Sequence, residues 1–465
     1  MTGIIGYASY LPHYRITEAA LGTRAGGHGR LVACHDEDTT TMAVEACRRV
    51  LSAGRHPDLA AVKVTTPVPP YLVKNNASAV HAALGLDESV RATDAGSATR
   101  SALALLIEAA QQDRAQLLAV SDMRGGLPGG PDEREGADAA VAFVTGSGPS
   151  VIAEVLGDAA VTMEILERWR LPGAPADRRW EEHFGAEQYV PAGQRAFDAA
   201  LKQAGLTASE IDYLLVSSTN RRAARTLRRT AGTRPEASTV DSTGGLGQAG
   251  AADAGVQLAA VLDLAEPGQH IVVVSLADGA DAVVLRTTDA LVSGRQRIPF
   301  GDQAAACDDP VDQFTVLRWR GLLPVEDLPR PTPKAPMGPP ARRATGWKFA
   351  LRGSVCSCGA VHLPPQRVCA SCGAVDDMRV RPVAGRPARV VTGTTDRLAW
   401  SPHPPASYAV IDFDGGGRLE CELTEVDDTA IAPGLAVEMV FRRGHTRDGV
   451  HNYFWKARPV RGEAG

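Results

Sequence analysis

The stretch from Val62 to Thr99, VKVTTPVPPYLVKNNASAVHAALGLDESVRATDAGSAT, decides the fold class of this chain. It opens with a short predicted strand, Val62–Val64, and a proline-rich turn follows. Ala77–Leu84 then predicts a helix rich in alanine, and a second such helix, Ser101–Ala110, begins just beyond the stretch. Strands that alternate with helices are typical of a layered α/β core, so we expect that class.

The same alternation continues on both sides of this stretch. Before it, residues 3–10 predict a first strand and residues 36–51 a helix with apolar residues at helical spacing. The further predicted strands are 117–121, 139–145, 150–156, 213–217, 271–276 and 282–287, and the further helices are 191–204 and 255–264. Because the order repeats in the second part of the core, we expect two similar halves.

Length and composition narrow the class of protein. The chain has 465 residues, enough for about two to four domains. Its net charge of -5 argues against a nucleic-acid-binding surface, and its longest apolar runs, such as IVVVSLA at 271–277, have the length of strands rather than of membrane spans. No signal peptide is recognisable, so we expect a cytoplasmic protein whose eight cysteines are thiols or metal ligands.

The C-terminal part of the chain changes in character. Residues 320–345 are rich in proline and predict an extended linker. Residues 346–381 hold a cluster of cysteines, and residues 382–465 alternate strand-like segments with turns, which predicts a small β-barrel. We therefore expect an α/β core with halves at 1–160 and 161–319, followed by the linker, the cysteine module and the barrel.

Four cysteines form a specific metal-site pattern. Cys356 and Cys358 make one pair, Cys369 and Cys372 make the other, and a glycine follows each pair. Two cysteine pairs on tight glycine turns bring four thiolates to one point, as tetrahedral zinc requires. Four protein ligands leave no open position, so the predicted zinc is structural. Two buried cysteine pairs without metal are the alternative.

The cysteine module and the barrel resemble the rubredoxin-like zinc ribbon and OB-fold of the DUF35 family. The resemblance covers about residues 346–460 and rests on the cysteine spacing, on HLPPQRVC at 362–369 and on the evenly spaced strands. Members of that family accompany thiolase-like enzymes and can hold the pantetheine arm of coenzyme A. The resemblance implies that such a module is fused to the core here.

The core resembles the archaeal and bacterial 3-hydroxy-3-methylglutaryl-CoA synthases of the thiolase superfamily over about residues 3–325. Four segments carry the resemblance: DEDTTTMAVEA at 36–46, PPYLVKNNASAVHAALGL at 69–86, EIDYLLVSSTN at 210–220 and AAVLDLAEPGQHIVVVS at 259–275. The resemblance implies a thiolase-like αβαβα sandwich that takes an acyl-CoA thioester as substrate or ligand. It also implies a homodimer built on the core.

The nucleophile of that family is replaced in this chain. The family has Asp-x-x-x-Ala-Cys at the start of a buried helix, where the cysteine accepts the acyl group. Here Asp94 and Ala98 fit the pattern, and Thr99 stands in place of the cysteine. A threonine hydroxyl has a very high pKa and needs a strong adjacent base to act as a nucleophile. We therefore expect no acyl-enzyme at Thr99.

The other catalytic groups of the family are replaced as well. Pro67 matches the glutamate that deprotonates the donor methyl group, and Ser217 matches the histidine that stabilises the thioester oxyanion. Asn220 is retained, and Gln248 takes the place of an asparagine in a later turn. By this match, Thr99, Ser217 and Gln248 line the pocket together with Ser97 and Ser218.

Candidates for a replacement acid or base are few in the sequence. Tyr71 and His81 are the ionisable candidates nearest to the replaced positions in the sequence. Tyr189 is a further tyrosine that could act as an acid or base. For His81 we favour a hydrogen-bonded helix residue, and for Asp94 a helix cap is the structural alternative. Of the isolated cysteines Cys34, Cys47, Cys307 and Cys421, only Cys307 offers an alternative nucleophile, and the two aspartates after it argue against that role.

Two classes of function follow from this altered site. The first is an acyl-CoA-dependent enzyme without a cysteine intermediate, which forms or breaks a carbon–carbon bond or transfers the acyl group, in a pathway such as secondary metabolism. The second is a protein that binds CoA without catalysis, or that serves as a scaffold partner of a catalytic thiolase-like enzyme. An ordinary synthase is disfavoured because its three catalytic groups are replaced. Neither nucleic acid nor membrane is an expected partner.

Overall fold

The computed structural model describes residues 1–17, 19–21, 29–52, 57–238, 245–326 and 333–461. The chain divides into two compact units. The first consists of Met1–Cys34, Glu45–Ser78 and Glu88–Leu322. The second consists of His35–Val44, Ala79–Asp87 and Leu323–Gly465.

Of the eleven elements described up to residue 147, seven begin and end close to the sequence-based expectations, and four short ones were not predicted. In chain order they are β1 (Thr2–Tyr10), β2 (Tyr14–Ile16), β3 (Arg30–Val32), α1 (Thr39–Ser52), β4 (Ala61–Thr65), α2 (Ala77–Leu84), β5 (Arg91–Asp94), α3 (Ser101–Ala110), β6 (Gln116–Met123), α4 (Pro131–Glu135) and β7 (Asp138–Ser147).

The elements from residue 153 to residue 319 include several that the sequence did not predict, among them the hairpin β9–β10 and the helix α6. They are β8 (Ala153–Thr162), β9 (Arg168–Trp169), β10 (Arg178–Arg179), α5 (Glu182–Ala204), β11 (Tyr213–Ser218), α6 (Arg221–Thr230), α7 (Asp253–Leu264), β12 (His270–Leu276), β13 (Gly279–Thr287), α8 (Leu291–Gly294), α9 (Phe300–Ala305), β14 (Asp309–Pro310) and α10 (Gln313–Trp319).

One sheet of nine strands carries the first unit, and its strand order repeats. The order is β11-β12-β13-β8-β1-β7-β6-β4-β5. In the first half β4 is parallel to β6, and β6, β7 and β1 follow in antiparallel pairs. In the second half β11 is parallel to β12, and β12, β13 and β8 follow in antiparallel pairs. The expected pair of similar halves is confirmed, and β1 joins them by pairing with β8.

The sheet is covered by helices on both faces, as strand β12 shows. Ile271 and Val273 belong to a buried cluster that includes residues of α3 and α7, whereas Val272 and Val274 belong to a cluster formed with α5 and α6. Because successive side chains of a strand point to opposite faces, a strand that is buried on both faces reads as an uninterrupted apolar run. The run IVVVSL is such a strand.

The elements of the C-terminal segment are mostly strands. They are α11 (Gly338–Arg343), α12 (Thr345–Lys348), β15 (Arg352–Cys356), β16 (Val361–His362), β17 (Met378–Pro382), β18 (Ala388–Asp396), β19 (Ala406–Phe413), β20 (Arg418–Glu422), β21 (Ala436–Arg447) and β22 (Val450–Pro459). The first three strands form one small sheet, and the other five form a sheet in the order β20-β19-β18-β21-β22. Residues 327–332 of the predicted linker lie outside the described residues.

A buried group of charges lies inside the second unit. The Arg442 guanidinium lies 2.5 Å from a carboxylate oxygen of Glu425, 3.2 Å from one of Glu37 and 3.5 Å from one of Asp36. The Lys456 ammonium lies 3.0 Å from Asp36. Burial would raise the pKa of Asp36, but the adjacent Lys456 charge holds it well below its usual value. Ion pairs therefore connect residues 36–37 to the barrel strands.

Candidate functional site

The candidate site lies at the carboxyl ends of the parallel strands of the first unit. Strand β4 is parallel to both β5 and β6, so residues after these three strands share one edge of the sheet. Pro67 follows β4, Thr99 follows β5, and Asp122 lies near the end of β6. In the second half, the end of β11 carries Ser217. Ligands of α/β sheets bind at such carboxyl ends.

Thr99 stands in the turn before α3 and is half-buried. The next residue, Arg100, fastens this turn to β13: its Nε and Nη2 donate to the two carboxylate oxygens of Asp281 at 2.9 and 3.1 Å. The hydrogen bond described for Thr99 uses its carbonyl oxygen, which accepts from the Ala102 N–H at 3.5 Å. Among the described residues, no side chain hydrogen-bonds the Thr99 hydroxyl. Within the described part of the chain, no base is therefore hydrogen-bonded to this hydroxyl.

Ser217 is buried, and its hydroxyl hydrogen is already used. It donates to Oδ2 of Asp253 at 2.7 Å. The same oxygen accepts from the Gln257 side-chain amide at 2.6 Å. A hydroxyl that donates to a carboxylate cannot donate to an oxyanion at the same time. In this arrangement, Ser217 does not replace the histidine of the family as an oxyanion donor.

Gln248 presents a polarised amide with one unused donor. Its Oε1 accepts from Nη1 of Arg124 and from the Gly250 N–H, the latter at 2.9 Å. These two donors fix which end of the amide is the oxygen. Nε2 is buried and has no hydrogen-bond partner among the residues that the structure describes. A buried donor without an acceptor is costly, so a ligand that offers an acceptor would relieve that cost.

One turn brings the two halves of the site together. The Ala249 N–H donates to Asp253 at 3.2 Å, and the Ala251 N–H donates to Asp122 at 2.9 Å. Between them, Gly250 has a φ of +57°, and a Cβ built there would lie 1.9 Å from the Asp122 carboxylate. This glycine is required both by the backbone conformation and by the close approach. The turn thus links Ser217, through Asp253, to the end of β6.

Pro67 and Tyr71 lie on the loop after β4. The Pro67 carbonyl accepts a hydrogen bond from Nη2 of Arg170 at 2.6 Å. The Tyr71 backbone exchanges hydrogen bonds with the side chain of Asn76, at 3.2 and 2.8 Å, and the Lys74 ammonium lies 5.9 Å from the centre of the tyrosine ring. The contacts described for Tyr71 therefore hold the loop in shape. A role for Tyr71 in acid–base chemistry stays a prediction.

Two residues considered at the sequence level have structural partners. Asp94 accepts from the Ala77 N–H at 2.7 Å and from the Asn76 N–H at 2.8 Å, so it caps the start of α2. A ring nitrogen of His81 lies 2.9 Å from the Asp87 carbonyl oxygen, which agrees with a hydrogen-bonded helix histidine.

Asn220 and Tyr189 are both buried. The side-chain oxygen of Asn220 accepts from the Ala223 N–H at 2.9 Å, and its nitrogen donates to the Glu182 carbonyl at 2.9 Å. It is therefore the N-cap of α6. Burial, and secondarily the charge of Glu167, raises the pKa of the Tyr189 hydroxyl above its usual value.

The isolated cysteines lie in packed surroundings. Cys34, Cys47, Cys307 and Cys421 are all buried. Burial raises the pKa of the Cys47 thiol, and it raises that of Cys421 to about 12. Cys307 lies 3.8 Å from the Leu11 carbonyl oxygen, and its own carbonyl accepts from Arg15. Burial of this kind suppresses the thiolate, which is the reactive form of cysteine.

Sequence reasoning missed a row of alternating charges that ends at the candidate site. It consists of Arg124, Asp132, Arg168, Asp177 and Arg170, and is called the arginine row below. Asp132 is shared by Arg124 and Arg168, and Asp177 by Arg168 and Arg170. The row thus runs from Gln248, which bonds Arg124, to Pro67, which bonds Arg170. Arg168 and Arg170 lie in the unpredicted hairpin region, so no sequence pattern indicated this placement.

The pKa shifts of Asp132, which belongs to the row, and of Asp122, which lies next to it, have opposite directions. Burial would raise the pKa of Asp132, but the hydrogen bond from Arg168 and the charge of Arg124 hold it below its usual value. In contrast, burial raises the pKa of Asp122 to about 6, against the lowering effects of the Ala251 N–H and of Arg124 and Arg170. A carboxyl group with such a pKa can exchange a proton near neutral pH. Its position at the end of a buried strand is the one signal in the sequence that could have identified it.

The four predicted metal ligands come together in the second unit. Their sulfur atoms all lie within 4.8 Å of one another, and Cys356–Cys372 and Cys358–Cys369 are each 3.6 Å apart. Tetrahedral zinc with Zn–S bonds of about 2.3 Å places its sulfur atoms about 3.8 Å apart. The four thiols therefore fit a zinc ion in number and spacing.

Two family models match parts of the chain. Residues 201–287 match the C-terminal part of 3-oxoacyl-[acyl-carrier-protein] synthase III. Residues 380–442 match the C-terminal OB-fold domain of ChsH2. Among the described residues, the helices are too short or too polar to cross a membrane.

Solved structures show the same fold for the core. An HMG-CoA synthase complexed with CoA matches with a TM-score of 0.58 at 16% identity. The match covers 68% of this chain and 89% of the synthase chain. A 3-oxoacyl-[acyl-carrier-protein] synthase III from Aquifex aeolicus matches with a TM-score of 0.54 at 20% identity. The match covers 62% of this chain and 100% of that synthase chain. The thiolase-like core and the C-terminal OB-fold are thereby confirmed.

Curated relatives identify the family. The hydroxymethylglutaryl-CoA synthase of Methanopyrus kandleri is 30% identical over 322 residues, which cover 64% of this chain and 91% of the relative. That of Archaeoglobus fulgidus is 30% identical over 315 residues, which cover 63% of this chain and 90% of the relative. This chain therefore belongs to the hydroxymethylglutaryl-CoA synthase family.

Proposed function

We propose that this chain binds an acyl-CoA thioester at the carboxyl ends of the core strands and acts on it directly, without an acyl-enzyme. The reaction would be carbon–carbon bond formation or cleavage beside the thioester, or acyl transfer to an acceptor. The observation that carries the proposal is the buried Nε2 of Gln248, which no described residue pairs. Membership of the family and the CoA complex of a similar structure support an acyl-CoA as the ligand.

The role of Gln248 in this proposal is to hold the thioester carbonyl oxygen. Arg124 and the Gly250 N–H bind the other end of the amide, so the amide is oriented before a ligand arrives. Negative charge develops on a carbonyl oxygen when a nucleophile attacks it, and it also develops when a proton leaves the adjacent carbon. A preorganised donor stabilises that charge, by about 3–4 kcal/mol for an oxyanion-hole amide.

A proton acceptor is the second requirement of such chemistry. Asp122 is joined through the Ala251 N–H to the turn that carries Gln248, and its pKa is raised to about 6 by burial. A base with a pKa near the working pH is efficient in proton transfer. In our proposal Asp122 accepts the proton that the family's glutamate accepts. Pro67, which stands at the position of that glutamate, has no ionisable group.

Gln248→Glu tests this reading. Glutamate keeps an acceptor for Arg124 and the Gly250 N–H but loses the donor, so acetyl-CoA should bind about ten-fold more weakly or worse. S-ethyl-CoA, a thioether that lacks the carbonyl oxygen, should bind equally well to both proteins. The exposed Gln112→Glu, which introduces the same charge, is the control. Calorimetric titration that gave unchanged acetyl-CoA affinity for Gln248→Glu would contradict the proposal.

Binding without catalysis is the second candidate function. It is favoured by Thr99, whose hydroxyl is bonded to no base in the described ranges, and by Ser217, whose hydroxyl donates to Asp253. The two functions are separated by turnover of a panel of acyl-CoA thioesters with and without small acceptors. Conversion of a thioester to a new product, with or without release of free CoA, that depends on Asp122 supports the enzyme, whereas binding that leaves every thioester unchanged supports a CoA-binding scaffold.

The four clustered cysteines would hold one structural zinc ion in this proposal. Cys358 and Cys372 are exposed, whereas Cys356 and Cys369 are buried. Because all four ligand positions are protein sulfurs, the ion would tie the turns of the β15–β17 sheet together and would not meet substrate. Free thiols suit a reducing compartment such as the cytoplasm.

A homodimer built on the core completes the proposal. Strand β5 is an edge of the nine-stranded sheet, and all four of its residues are exposed or half-exposed. An open edge offers unpaired backbone groups to a second copy of the sheet. Light scattering should give twice the chain mass of 48.9 kDa, and a stable monomer at micromolar concentration would exclude this assembly.

A further inference from the structure

One histidine of the cysteine module has no role in the function proposed so far. His362 lies on the short strand β16 and is half-buried. This strand pairs with β15, which ends at Cys356, and His362 stands opposite Ser354 in the pair. His362 also opens the segment HLPPQRVC, which ends at Cys369. The histidine therefore belongs to the backbone frame that carries both cysteine pairs.

The side chain of His362 donates a hydrogen bond to the sulfur of Cys369. Its Nε2 is buried and has no hydrogen-bond partner among the described residues, so the nitrogen that reaches the sulfur is Nδ1. This contact fixes the tautomer of the ring: Nδ1 carries the hydrogen, and Nε2 keeps a lone pair. The imidazole is thus oriented by the cysteine before any metal ion is considered.

The Cys369 sulfur needs N–H donors more than an exposed sulfur does. Cys369 is buried, whereas Cys358 and Cys372 are exposed, so water can reach the sulfurs of the latter two but not that of Cys369. The backbone N–H groups of Cys372 and Ser371, which belong to one turn, donate to the Cys369 sulfur. His362 adds a third donor from a different strand. Four thiolates around a divalent ion carry excess negative charge, which such N–H groups disperse where water is absent.

His362 is placed to support the metal ligands rather than to be one of them. The four sulfur atoms that lie within 4.8 Å of one another make a complete tetrahedral set without it. Its other ring nitrogen, Nε2, is enclosed by protein and unpaired within the described ranges. A buried polar atom without a partner costs stability, and an apolar side chain of similar size would avoid that cost. A histidine here is therefore explained by the bond that Nδ1 makes.

We propose that His362, through its Nδ1–H, holds the Cys369 thiolate in its metal-binding position and thereby slows the loss of the zinc ion. This proposal rests on the structural zinc of the proposed function and extends it to a residue that is not a ligand. Loss of a hydrogen-bond partner of a metal ligand typically weakens metal binding by about 10–100-fold. We therefore expect a change of at least about ten-fold when the donor is removed.

Three substitutions of His362 in the full-length protein separate the donor from the volume of the ring. His362→Leu removes the donor, whereas His362→Asn keeps an N–H group near the position of Nδ1. Zinc release to an excess of chelator, followed with a metal-sensitive dye, should be about ten-fold faster for His362→Leu and close to wild type for His362→Asn. His362→Gln, whose amide nitrogen reaches the position of Nε2 instead, should behave like His362→Leu. It provides the same test where the leucine variant does not fold.

Cobalt(II) in place of zinc gives a readout that looser packing alone would not change. The thiolate-to-cobalt charge-transfer band should move to longer wavelength in His362→Leu, because a sulfur without its hydrogen bond gives up electron density more easily. The band should return towards its original position in His362→Asn. His183→Leu, the same substitution at an exposed position of helix α5, is the control and should change neither the band nor the release rate.

The outcomes distinguish this proposal from the one on which it rests. If the wild-type protein binds neither zinc nor cobalt, the metal site itself is overturned. If the metal binds, but His362→Leu and His362→Gln keep the wild-type release rate and band, only the role of His362 is overturned. Faster release from His362→Asn, equal to that from His362→Leu, would also contradict the proposal, because it would assign the effect to the ring and not to its N–H.

Discussion

Replacing Asp122 with asparagine tests the burial of the carboxyl group that the proposed chemistry uses. Burial raises the pKa of Asp122 from 3.8 to about 6. Because the folded-state pKa is the higher one, the folded state binds this proton more tightly than the unfolded chain. The resulting contribution to stability is fully present below about pH 3.8 and is lost as the pH rises through about 6.

The size of the effect follows from the shift. A shift of about two pKa units corresponds to about 3 kcal/mol in the free energy of unfolding. Of this, about 2 kcal/mol is lost between about pH 4.5 and about pH 7.5. Asparagine keeps an oxygen that accepts from the Ala251 N–H and does not titrate. Relative to wild type, Asp122→Asn should therefore gain about 2 kcal/mol of stability across this range.

Urea unfolding at several pH values between these limits measures the difference directly. Only the difference between wild type and variant is used, because other groups titrate in both proteins. The exposed Asp113→Asn removes the same charge at the surface and is the control for the loss of a negative charge. A stability difference for Asp122→Asn that does not change with pH would contradict this prediction, because it would mean that burial does not raise the pKa of the Asp122 carboxyl group.

Three further predictions concern the zinc ligands, the threonine and the helix cap. Purified protein should carry about one zinc per chain by elemental analysis, and Cys369→Ser should lose it while the exposed Ser371→Ala keeps it. Incubation with acetyl-CoA should leave Thr99 unmodified by intact-protein mass spectrometry, and an acetyl group mapped to it would contradict us. Asn220→Ala should lower the free energy of unfolding by about 1 kcal/mol without changing CoA affinity, whereas Asn220→Ser should recover most of the loss.

The core was predictable where local pattern and burial agree. The helices Ala77–Leu84 and Ser101–Ala110 have the predicted bounds, because in both of them the apolar residues at helical spacing are also the buried ones. Helix α5 was expected to begin at Pro191, since proline favours a first turn, but it begins at Glu182. Gly185, Ala186 and Tyr189 are buried before the proline, and their packing outweighs the hydrogen bond that Pro191 cannot make.

The site was predictable only in part, for a different reason. The cysteine ligands are close in sequence, so their spacing predicts their meeting in space. The arginine row joins Arg124, Arg168 and Gln248, which are far apart in the chain and belong to no motif. Ser217 was expected in the pocket, but its hydrogen bond to Asp253 depends on how β11 packs against α7. Such pairings arise from tertiary packing, which a single sequence does not show.

The buried ions of the second unit have a consequence for how this gene can be divided. Arg442 and Lys456 belong to the last two strands, whereas their partners Asp36 and Glu37 stand near the start of the chain. A recombinant fragment that begins after the proline-rich stretch would keep both cations and lose these two acids. A buried charge left without its partner costs about 3–5 kcal/mol, a large share of the stability of a small barrel. Two genes that each encode one side of that stretch would therefore not give two independently stable proteins. Once the two parts have been fused, they are hard to separate again.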